Sequence, residues 1–184
     1  KVATMHITMI GAGYVGLVSG ACFADFGHDV TCVDLNIAKI EALKAGRMPI
    51  FEPGLGELVA NNVAAARLQF TTDLATAVAG ADVVFLAVGT PSRRGDGHAD
   101  LSYVYAAAAD IARAIKGFTV IVTKSTVPVG TGDEVERIVR MTNPDADFVV
   151  VSNPEFLREG KALHDNLHPS RIIVGERSAR AETF

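Results

Sequence analysis

Cysteine and tryptophan are scarce in this chain of 184 residues, which has no tryptophan and only two cysteines, Cys22 and Cys32. Neither cysteine has a second cysteine or a histidine at the spacing of a metal-binding motif, so we predict no metal site. Both cysteines lie in apolar stretches. We interpret them as small buried hydrophobic residues of a protein from a reducing compartment, and we assign them no chemistry.

An excess of positive charge is also missing, because 17 lysines and arginines face 21 acidic residues and the formal net charge is −4. This balance argues against the clustered basic surface by which proteins bind nucleic acid. No apolar run has the length needed to span a bilayer, and the first residues lack the basic start and apolar core of a signal peptide. We therefore predict a cytoplasmic protein with no nucleic-acid or membrane partner.

The composition that remains is that of a globular protein, with 49% hydrophobic and 21% charged residues. The length suits one domain, spanning residues 1–184, and is short for two. The ending "RSARAETF" supplies no closing element, and Met5 stands where a natural start would precede the first strand. We expect a truncated part of a longer protein with a tag-derived "KVAT" at its beginning.

Short β-branched runs alternate with helix-spaced segments along most of the chain. We predict helices at 14–27, 36–46, 54–68, about 74–80, about 102–116 and 132–142. We predict strands at 6–10, 29–34, 83–88, in "FTVIVTKST", in "DFVVVSN" and at 171–175. Continuous apolar strands that alternate with helices indicate a Rossmann-like, doubly wound parallel sheet with helices on both faces, in the α/β class.

Three glycines, Gly11, Gly13 and Gly16, follow the first strand in the order G-x-G-x-x-G and open the first helix. Asp34 ends the next strand about twenty residues further on, which is the context of a dinucleotide site. There the glycines permit a tight turn, close approach of a pyrophosphate and close helix packing, and the acid binds ribose hydroxyls. The acid favours NAD over NADP. The alternatives are a turn without a ligand and a solvated acid at a strand end.

Small hydroxyl side chains follow two later strands, where a bound dinucleotide would present its nicotinamide. They are Thr90 in "VGTP", and Ser125 and Thr126 in "TKSTVPVGT". Such side chains reach a ribose, an amide or a water molecule without crowding. Local capping of the turn backbone by the same hydroxyls explains them equally well.

Two acids, Glu155 and Glu159, lie four residues apart in "SNPEFLREGKAL". If this segment is helical, the two carboxylates share one face and repel each other by a few tenths of a kcal/mol, about 0.2–0.5. Folding does not require such a pair after a strand, so a catalytic role is one interpretation. The other is a solvated helix start, where acids suit the helix dipole.

Five stretches together resemble the UDP-glucose 6-dehydrogenase family in order and approximate spacing: "GAGYVGLVSG", "FEPGLGELV", "VGTPS", "STVPVGT" and "SNPEFLREGKA". The resemblance covers essentially the whole chain and is far more specific than the glycine loop alone. The wider group contains GDP-mannose and UDP-N-acetylmannosamine dehydrogenases. The stretch "EFLREG" is similar to the UDP-glucose branch, and GDP-mannose 6-dehydrogenase is the alternative.

The resemblance implies oxidation of UDP-glucose to UDP-glucuronate by two NAD⁺, with capture of the aldehyde by a cysteine and hydrolysis of a thioester. By motif position it implies cofactor binding by Gly11, Gly13, Tyr14, Val15, Gly16, Asp34, Lys39, Thr90, Ser125, Thr126 and Glu159. It implies catalytic roles for Thr126, which places the water, for Glu155, the acid/base of hydrolysis, and for Glu159. It implies substrate binding by Glu155, Phe156, Leu157, Arg158 and Glu159.

The resemblance also implies what this chain does not carry. In the family, the nucleophilic cysteine and its lysine, asparagine and aspartate belong to later segments, and neither Cys22 nor Cys32 matches the nucleophile's motif. We therefore expect the isolated chain to be inactive and the full-length protein to be a homo-oligomer. The stretch "HDNLHPSRIIVG" matches the family more loosely. A second hypothesis is a non-catalytic, NAD-sensing Rossmann domain, against which the Glu155 and Glu159 pair argues.

Overall fold

Six parallel strands form the centre of the computed structural model, which describes residues 3–93, 95, 97–176 and 178–180. Their order across the sheet is β3-β2-β1-β4-β5-β6, and every neighbouring pair is parallel. The predicted doubly wound sheet is therefore confirmed. The strands are β1 (His6–Ile10), β2 (Asp29–Val33), β3 (Leu68–Thr71), β4 (Val83–Leu86), β5 (Thr119–Thr123) and β6 (Phe148–Ser152).

Helices cover both faces of this sheet. They are α1 (Tyr14–Asp25), α2 (Ile37–Lys44), α3 (Leu55–Ala64), α4 (Leu74–Ala79), α5 (Ser102–Ala114), α6 (Thr131–Thr142) and α7 (Ala162–Leu167). Helix α1 contacts α3 and α7 on one side, while α5 contacts α4 and α6 on the other. Because successive strand residues point to opposite faces, Met9 and Cys32 enter the first core, and Ile10 and Val33 enter the second.

Strand β3 is absent from the predicted elements, because the predicted helix 54–68 includes its first residue, Leu68. The helix α3 ends earlier because Ala66 adopts a left-handed conformation with φ 58°. The chain then turns, and the Arg67 carbonyl accepts a hydrogen bond from the Val30 amide at 2.8 Å, which aligns β3 with β2. Four residues with two buried positions carry too short an alternation to stand out in the sequence.

One other prediction near the end of the chain is wrong, and one condition left open there is not met. Residues 171–175 do not form a strand, because only one antiparallel bridge joins Gly175 to Ser152 at the edge of β6. The segment that contains Glu155 and Glu159 is not helical, since α7 begins only at Ala162. The two acids therefore do not share a helix face. Within the described part of the chain, no helix is long and apolar enough to cross a membrane.

Candidate functional site

The predicted site residues gather at one edge of the sheet, because parallel strands all end there. The order of the sheet reverses between β1 and β4, and ligands of open α/β sheets bind in the crevice beside this switch point. The residues that follow the strands along this edge are Gly11 after β1, Asp34 after β2, Thr90 after β4, Ser125 and Thr126 after β5, and Glu155 after β6.

Two of the three loop glycines are required by the protein itself. Gly11 has φ +105°, and a Cβ atom there would lie 2.7 Å from the Ala87 carbonyl oxygen. A Cβ atom on Gly16 would lie 1.8 Å from the Gly11 carbonyl oxygen. Gly13 differs, because an added Cβ would have no atom within 4 Å. The turn therefore packs tightly against β4 and faces open space at Gly13.

The beginning of helix α1 is open to a ligand. Gly13 is its N-cap residue and provides no side-chain hydrogen bond to the first turn. The unsatisfied amides and the positive end of the helix dipole favour an anion at such a position. An uncapped helix start beside the open space at Gly13 fits the pyrophosphate of a dinucleotide. The preceding amide, that of Ala12, donates to Asp34 Oδ2 at 3.0 Å and fixes the turn.

Asp34 is a half-buried acid that three donors hold in place. Besides Ala12, the Asn36 amide donates at 2.9 Å, and Lys39 Nζ lies 2.6 Å from Oδ2. Burial alone would raise the pKa of the Asp34 carboxyl, but the hydrogen bonds from Lys39, Asn36 and Ala12 outweigh it and lower the pKa below its ordinary value. Asp34 therefore carries its negative charge at neutral pH. Asn36 caps α2 by accepting a hydrogen bond from the Lys39 amide at 3.0 Å, and this places Lys39 in the first turn of the helix, beside Asp34.

The sequence left two interpretations of the hydroxyl residues, contact with a ligand and capping of the local backbone, and the three residues differ in this respect. The hydroxyl of Ser125 donates to the Val88 carbonyl oxygen at 2.7 Å and so binds the backbone of the neighbouring strand end. Thr126 is exposed and Thr90 is half-buried. Ser125 thus joins the loops that follow β4 and β5, whereas Thr126 faces solvent beside them.

The segment from Asn153 to Gly160 forms a loop beside an open cavity of about 550 Å³. Glu155 Oε2 accepts a hydrogen bond from the Leu157 amide at 2.5 Å. The guanidinium of Arg158 binds both carboxylate oxygens of Asp165, at 2.9 Å and 2.7 Å. Phe156 is 46% exposed. The predicted substrate-binding segment is therefore irregular, partly exposed and tied to α7 by one bidentate ion pair.

Lys124 also lines this cavity, although the sequence predicts no role for it. Its Nζ donates to Asn153 Oδ1 at 2.9 Å, and it lines the same cavity as Glu155. Burial lowers the pKa of Lys124, and the charge of Glu155 partly offsets this effect. Its position in "TKSTVPVGT", directly after β5, is the signal that could have identified it.

Glu52 is a second residue for which the sequence predicts no role, although it lies in the motif "FEPGLGELV". It is only 7% exposed, and its carboxylate accepts a hydrogen bond from the Tyr14 hydroxyl. Gly160, at the end of the loop that carries Glu155, also donates to it. Glu52 therefore joins the start of α1 to the predicted catalytic loop, across more than 100 residues of sequence.

The two cysteines are unsuited to nucleophilic chemistry. Cys22 and Cys32 are free thiols without exposed surface. Burial raises the pKa of both thiols to about 12, aided at Cys22 by the charge of Asp25. The thiolate is the reactive form, so neither residue acts as a nucleophile near neutral pH. Among the residues that the structure describes, no cluster of three side chains could hold a metal ion.

Comparisons with known proteins show the family of this chain. The model of the UDP-glucose/GDP-mannose dehydrogenase family, NAD binding domain, matches residues 5–184. A UDP-glucose 6-dehydrogenase of Rhizobium meliloti is 75% identical over 171 residues, which are 93% of this chain and 39% of that protein. The UDP-glucose 6-dehydrogenase TuaD of Bacillus subtilis is 51% identical over 95% of this chain and 38% of its own length. The chain spans about two fifths of these relatives.

Solved structures of related dehydrogenases also superimpose closely on this chain. A UDP-glucose dehydrogenase of the archaeon Pyrobaculum islandicum superimposes with a TM-score of 0.94 and 44% identity, over 99% of this chain and 43% of its own. A ternary complex of GDP-mannose dehydrogenase from Pseudomonas aeruginosa superimposes with a TM-score of 0.93 and 36% identity, over 97% of this chain and 42% of its own.

Proposed function

Because the chain belongs to the UDP-glucose/GDP-mannose dehydrogenase family and forms its NAD-binding domain, we propose that the complete protein oxidises UDP-glucose to UDP-glucuronate. The observation that carries this proposal is a juxtaposition. The uncapped start of α1 lies beside the ionised Asp34, and the acid-bearing loop ends against the same helix, at Tyr14. The 75% identical relative, a UDP-glucose 6-dehydrogenase, supports the choice of sugar nucleotide.

Several residues of this chain would hold NAD, which accepts a hydride from the substrate when it is bound. We assign Gly11, Gly13, Tyr14, Val15 and Gly16 to the pyrophosphate, Asp34 and Lys39 to the ribose, and Thr90, Ser125, Thr126 and Glu159 to the nicotinamide half. A carboxylate offers about four acceptor positions, and three donors occupy Asp34. Its remaining capacity suits a ribose hydroxyl, and its charge disfavours a 2′-phosphate.

Residues of the later loops would carry the hydrolytic step. We assign Glu155 as the acid/base, Thr126 as the residue that places the attacking water, and Glu159 as a catalytic residue that faces the cofactor. One carboxylate oxygen of Glu155 is engaged by the Leu157 amide, so the other is available to a water molecule. The backbone of residues 155–159, with Phe156, Leu157 and Arg158, would line the sugar nucleotide.

Measurement of NADH release by the complete protein tests this function. With UDP-glucose we expect about two NADH for each substrate molecule, since an alcohol becomes a carboxylate. GDP-mannose serves as the competing substrate, and a higher kcat/KM for it would replace the proposal by GDP-mannose oxidation. NAD binding without oxidation of either sugar nucleotide would indicate an NAD sensor instead.

The isolated chain provides a second test. We expect it to bind NAD but to release no NADH from UDP-glucose, because both of its cysteines are buried and poorly ionised. Steady NADH production by the chain alone would contradict the assignment of the nucleophile to another segment. For the complete protein we also propose a cytoplasmic location and a homo-oligomeric state, on the strength of the family resemblance and the unpaired thiols.

A further inference from the structure

A buried carboxylate lies between the two halves of the candidate site. Glu52 is 7% exposed, although a charged side chain pays a large desolvation penalty unless donors satisfy it. The donors to Glu52 are neutral groups: the Tyr14 hydroxyl, the Gly160 amide at 2.8 Å and the Leu163 amide at 3.2 Å. Hydrogen bonds rather than an opposite charge therefore hold this carboxylate in the protein.

These donors come from two distant parts of the chain. Tyr14 directly follows Gly13 and is the first residue of α1, whereas Gly160 and Leu163 lie at the end of the catalytic loop and in α7. The Gly160 amide is shared, because it also lies 2.9 Å from the Tyr14 hydroxyl oxygen. The Glu52 carboxylate thus connects the start of α1, directly after the glycine turn, to the backbone that follows Glu159.

All three hydrogen bonds are donated to Glu52, and only a carboxylate, with two acceptor oxygens, accepts every one of them. Oε2 accepts from Tyr14 and Gly160, and Oε1 accepts from Leu163, so both oxygens of Glu52 must be acceptors. Glutamine offers one acceptor oxygen and one NH₂ group. In Glu52→Gln the NH₂ group therefore faces an amide donor in either orientation, and a bond to Gly160 or to Leu163 is lost.

On the basis of the proposed function, we infer that Glu52 is a positioning residue, which with Tyr14 sets the loop carrying Glu155 and Glu159 against the NAD cradle. Neither residue needs to touch the reacting atoms for this role. A misplacement of a catalytic group by about 1 Å costs on the order of 100-fold in rate. The loop has little regular structure of its own to prevent such a displacement, so its placement depends on this anchor.

Amide hydrogen exchange tests the anchor without any use of activity. We compare this chain with its variants Glu52→Gln and Tyr14→Phe, and use Glu57→Gln as the control, because Glu57 is an exposed acid of the neighbouring helix α3. In Glu52→Gln we expect exchange to accelerate about tenfold or more at Gly160 or at Leu163, whichever amide faces the new NH₂ group, since a hydrogen bond to a charged group is lost there. Amides of β1 and β4, and all amides of the control, should keep their rates.

Kinetics of the complete enzyme tests the consequence for chemistry. We expect Glu52→Gln to lower kcat about 10- to 100-fold, with KM for NAD changed less than about threefold, and Tyr14→Phe to lower kcat less. Combined with Glu155→Gln, Glu52→Gln should cause little additional loss, because a misplaced base and an absent base remove the same contribution. A role in stability alone would add its full effect in the double variant.

The outcomes separate this inference from the proposed function. If the unaltered enzyme does not oxidise UDP-glucose, the proposed function fails, and the exchange rates still decide whether Glu52 anchors the loop. If the enzyme is active and Glu52→Gln keeps the normal kcat, or if exchange changes at neither Gly160 nor Leu163, the positioning role is wrong. Tyr14→Phe removes a single hydroxyl and keeps the test decisive should Glu52→Gln fail to fold.

Discussion

The glycine turn after β1, to which we assign the cofactor, and the loop of residues 153–160, to which we assign the hydrolytic step, lie at the same edge of one sheet, but different contacts hold them in place. The turn follows β1, which pairs with β2 and β4, and the Gly11 amide donates to the Val33 carbonyl at 2.7 Å. The loop follows the edge strand β6 and has no regular structure from Asn153 to Gly160. Backbone packing, a main-chain bond and the bond of the Ala12 amide to Asp34 position the first region, whereas side chains such as Glu52 and Asp165 position most of the second.

This difference predicts opposite sensitivities to mutation. Where backbone packs on backbone, as at Gly16, an added atom has no room, and the protein must shift. Where a side chain such as Glu52 holds a loop, removal of an acceptor leaves donors unsatisfied and the loop less well placed. We therefore expect the turn to be sensitive to larger side chains and the loop to be sensitive to the removal of hydrogen-bonding groups.

The largest effect is expected in the loop, for Glu155→Gln in the complete enzyme. The amide keeps the shape of the side chain but cannot act as a base, and a general base contributes about 10²–10⁴-fold in rate. The loss should fall on hydrolysis, so that a covalent sugar adduct accumulates. Intact-protein mass spectrometry after mixing with UDP-glucose and NAD⁺ detects this adduct. Normal turnover, or a stall before any NADH forms, would show that Glu155 does not serve as this base.

The next effect concerns the turn, through Gly16→Ala. The new Cβ would lie 1.8 Å from the Gly11 carbonyl oxygen, and both the turn and α1 would have to move. Overpacking of this kind costs about 1–3 kcal/mol, and we expect a loss of at least 3 kcal/mol here because the contact is with backbone. Urea unfolding of the isolated chain measures it. A variant as stable as the original would mean that the turn is not held by backbone packing.

Gly13→Ala is the matched variant in the same turn. Its Cβ would meet no atom within 4 Å, and Gly13 has an ordinary extended conformation with φ −81°. We expect the free energy of unfolding to change by less than about 1 kcal/mol, as at positions free of packing. The affinity for NAD, measured by calorimetry, should nevertheless fall about tenfold, because the methyl group occupies the space proposed for the pyrophosphate. An unchanged affinity of Gly13→Ala for NAD would contradict the assignment of the pyrophosphate to this position.

Cofactor preference depends on Asp34 in the same region. We expect the chain to bind NAD about tenfold or more tightly than NADP, since an ionised carboxylate repels a 2′-phosphate. Replacement of Asp34 by glycine, combined with substitution of a neighbouring residue by a basic one, should reduce the difference between the affinities for NAD and NADP. The loss of the bond to the Ala12 amide should also weaken NAD binding itself. Equal affinity of the original chain for both cofactors would contradict the role assigned to Asp34.

The smallest effect is a pH dependence in the loop region. The hydrogen bonds from Arg158 lower the pKa of Asp165 far below its ordinary value, so its ionised form stabilises the folded state at neutral pH. A lowered pKa contributes stability above the unfolded value and loses it as the pH falls. The difference in Tm between the original chain and Asp165→Asn should therefore shrink progressively below about pH 4. A difference independent of pH between 6 and 3 would exclude an ionic origin.

The sequence by itself determined the class of fold and the glycine turn between β1 and α1. Periodicity located five of the six strands, and the spacing of Gly11, Gly13 and Gly16 before a helix, with Asp34 after the next strand, predicted the β1–turn–α1–β2 unit to which we assign NAD. This succeeded because the first βαβ unit is local, and its backbone conformation depends on residues close to it in the chain. The five-motif resemblance identified the family for the same reason, since each motif is a continuous stretch.

Only the tertiary structure decided how the second half of the site is built. The sequence indicated a strand at 171–175 and allowed a helix through Glu155 and Glu159, and the fold contains neither. Glu52 has its buried position because the α2–α3 turn, the start of α1 and the end of the loop that carries Glu155 lie together in the fold. Such a contact joins residues more than 100 positions apart, and neither periodicity nor spacing records it. The energy of burying one carboxylate against distant amides exists only after the chain has folded.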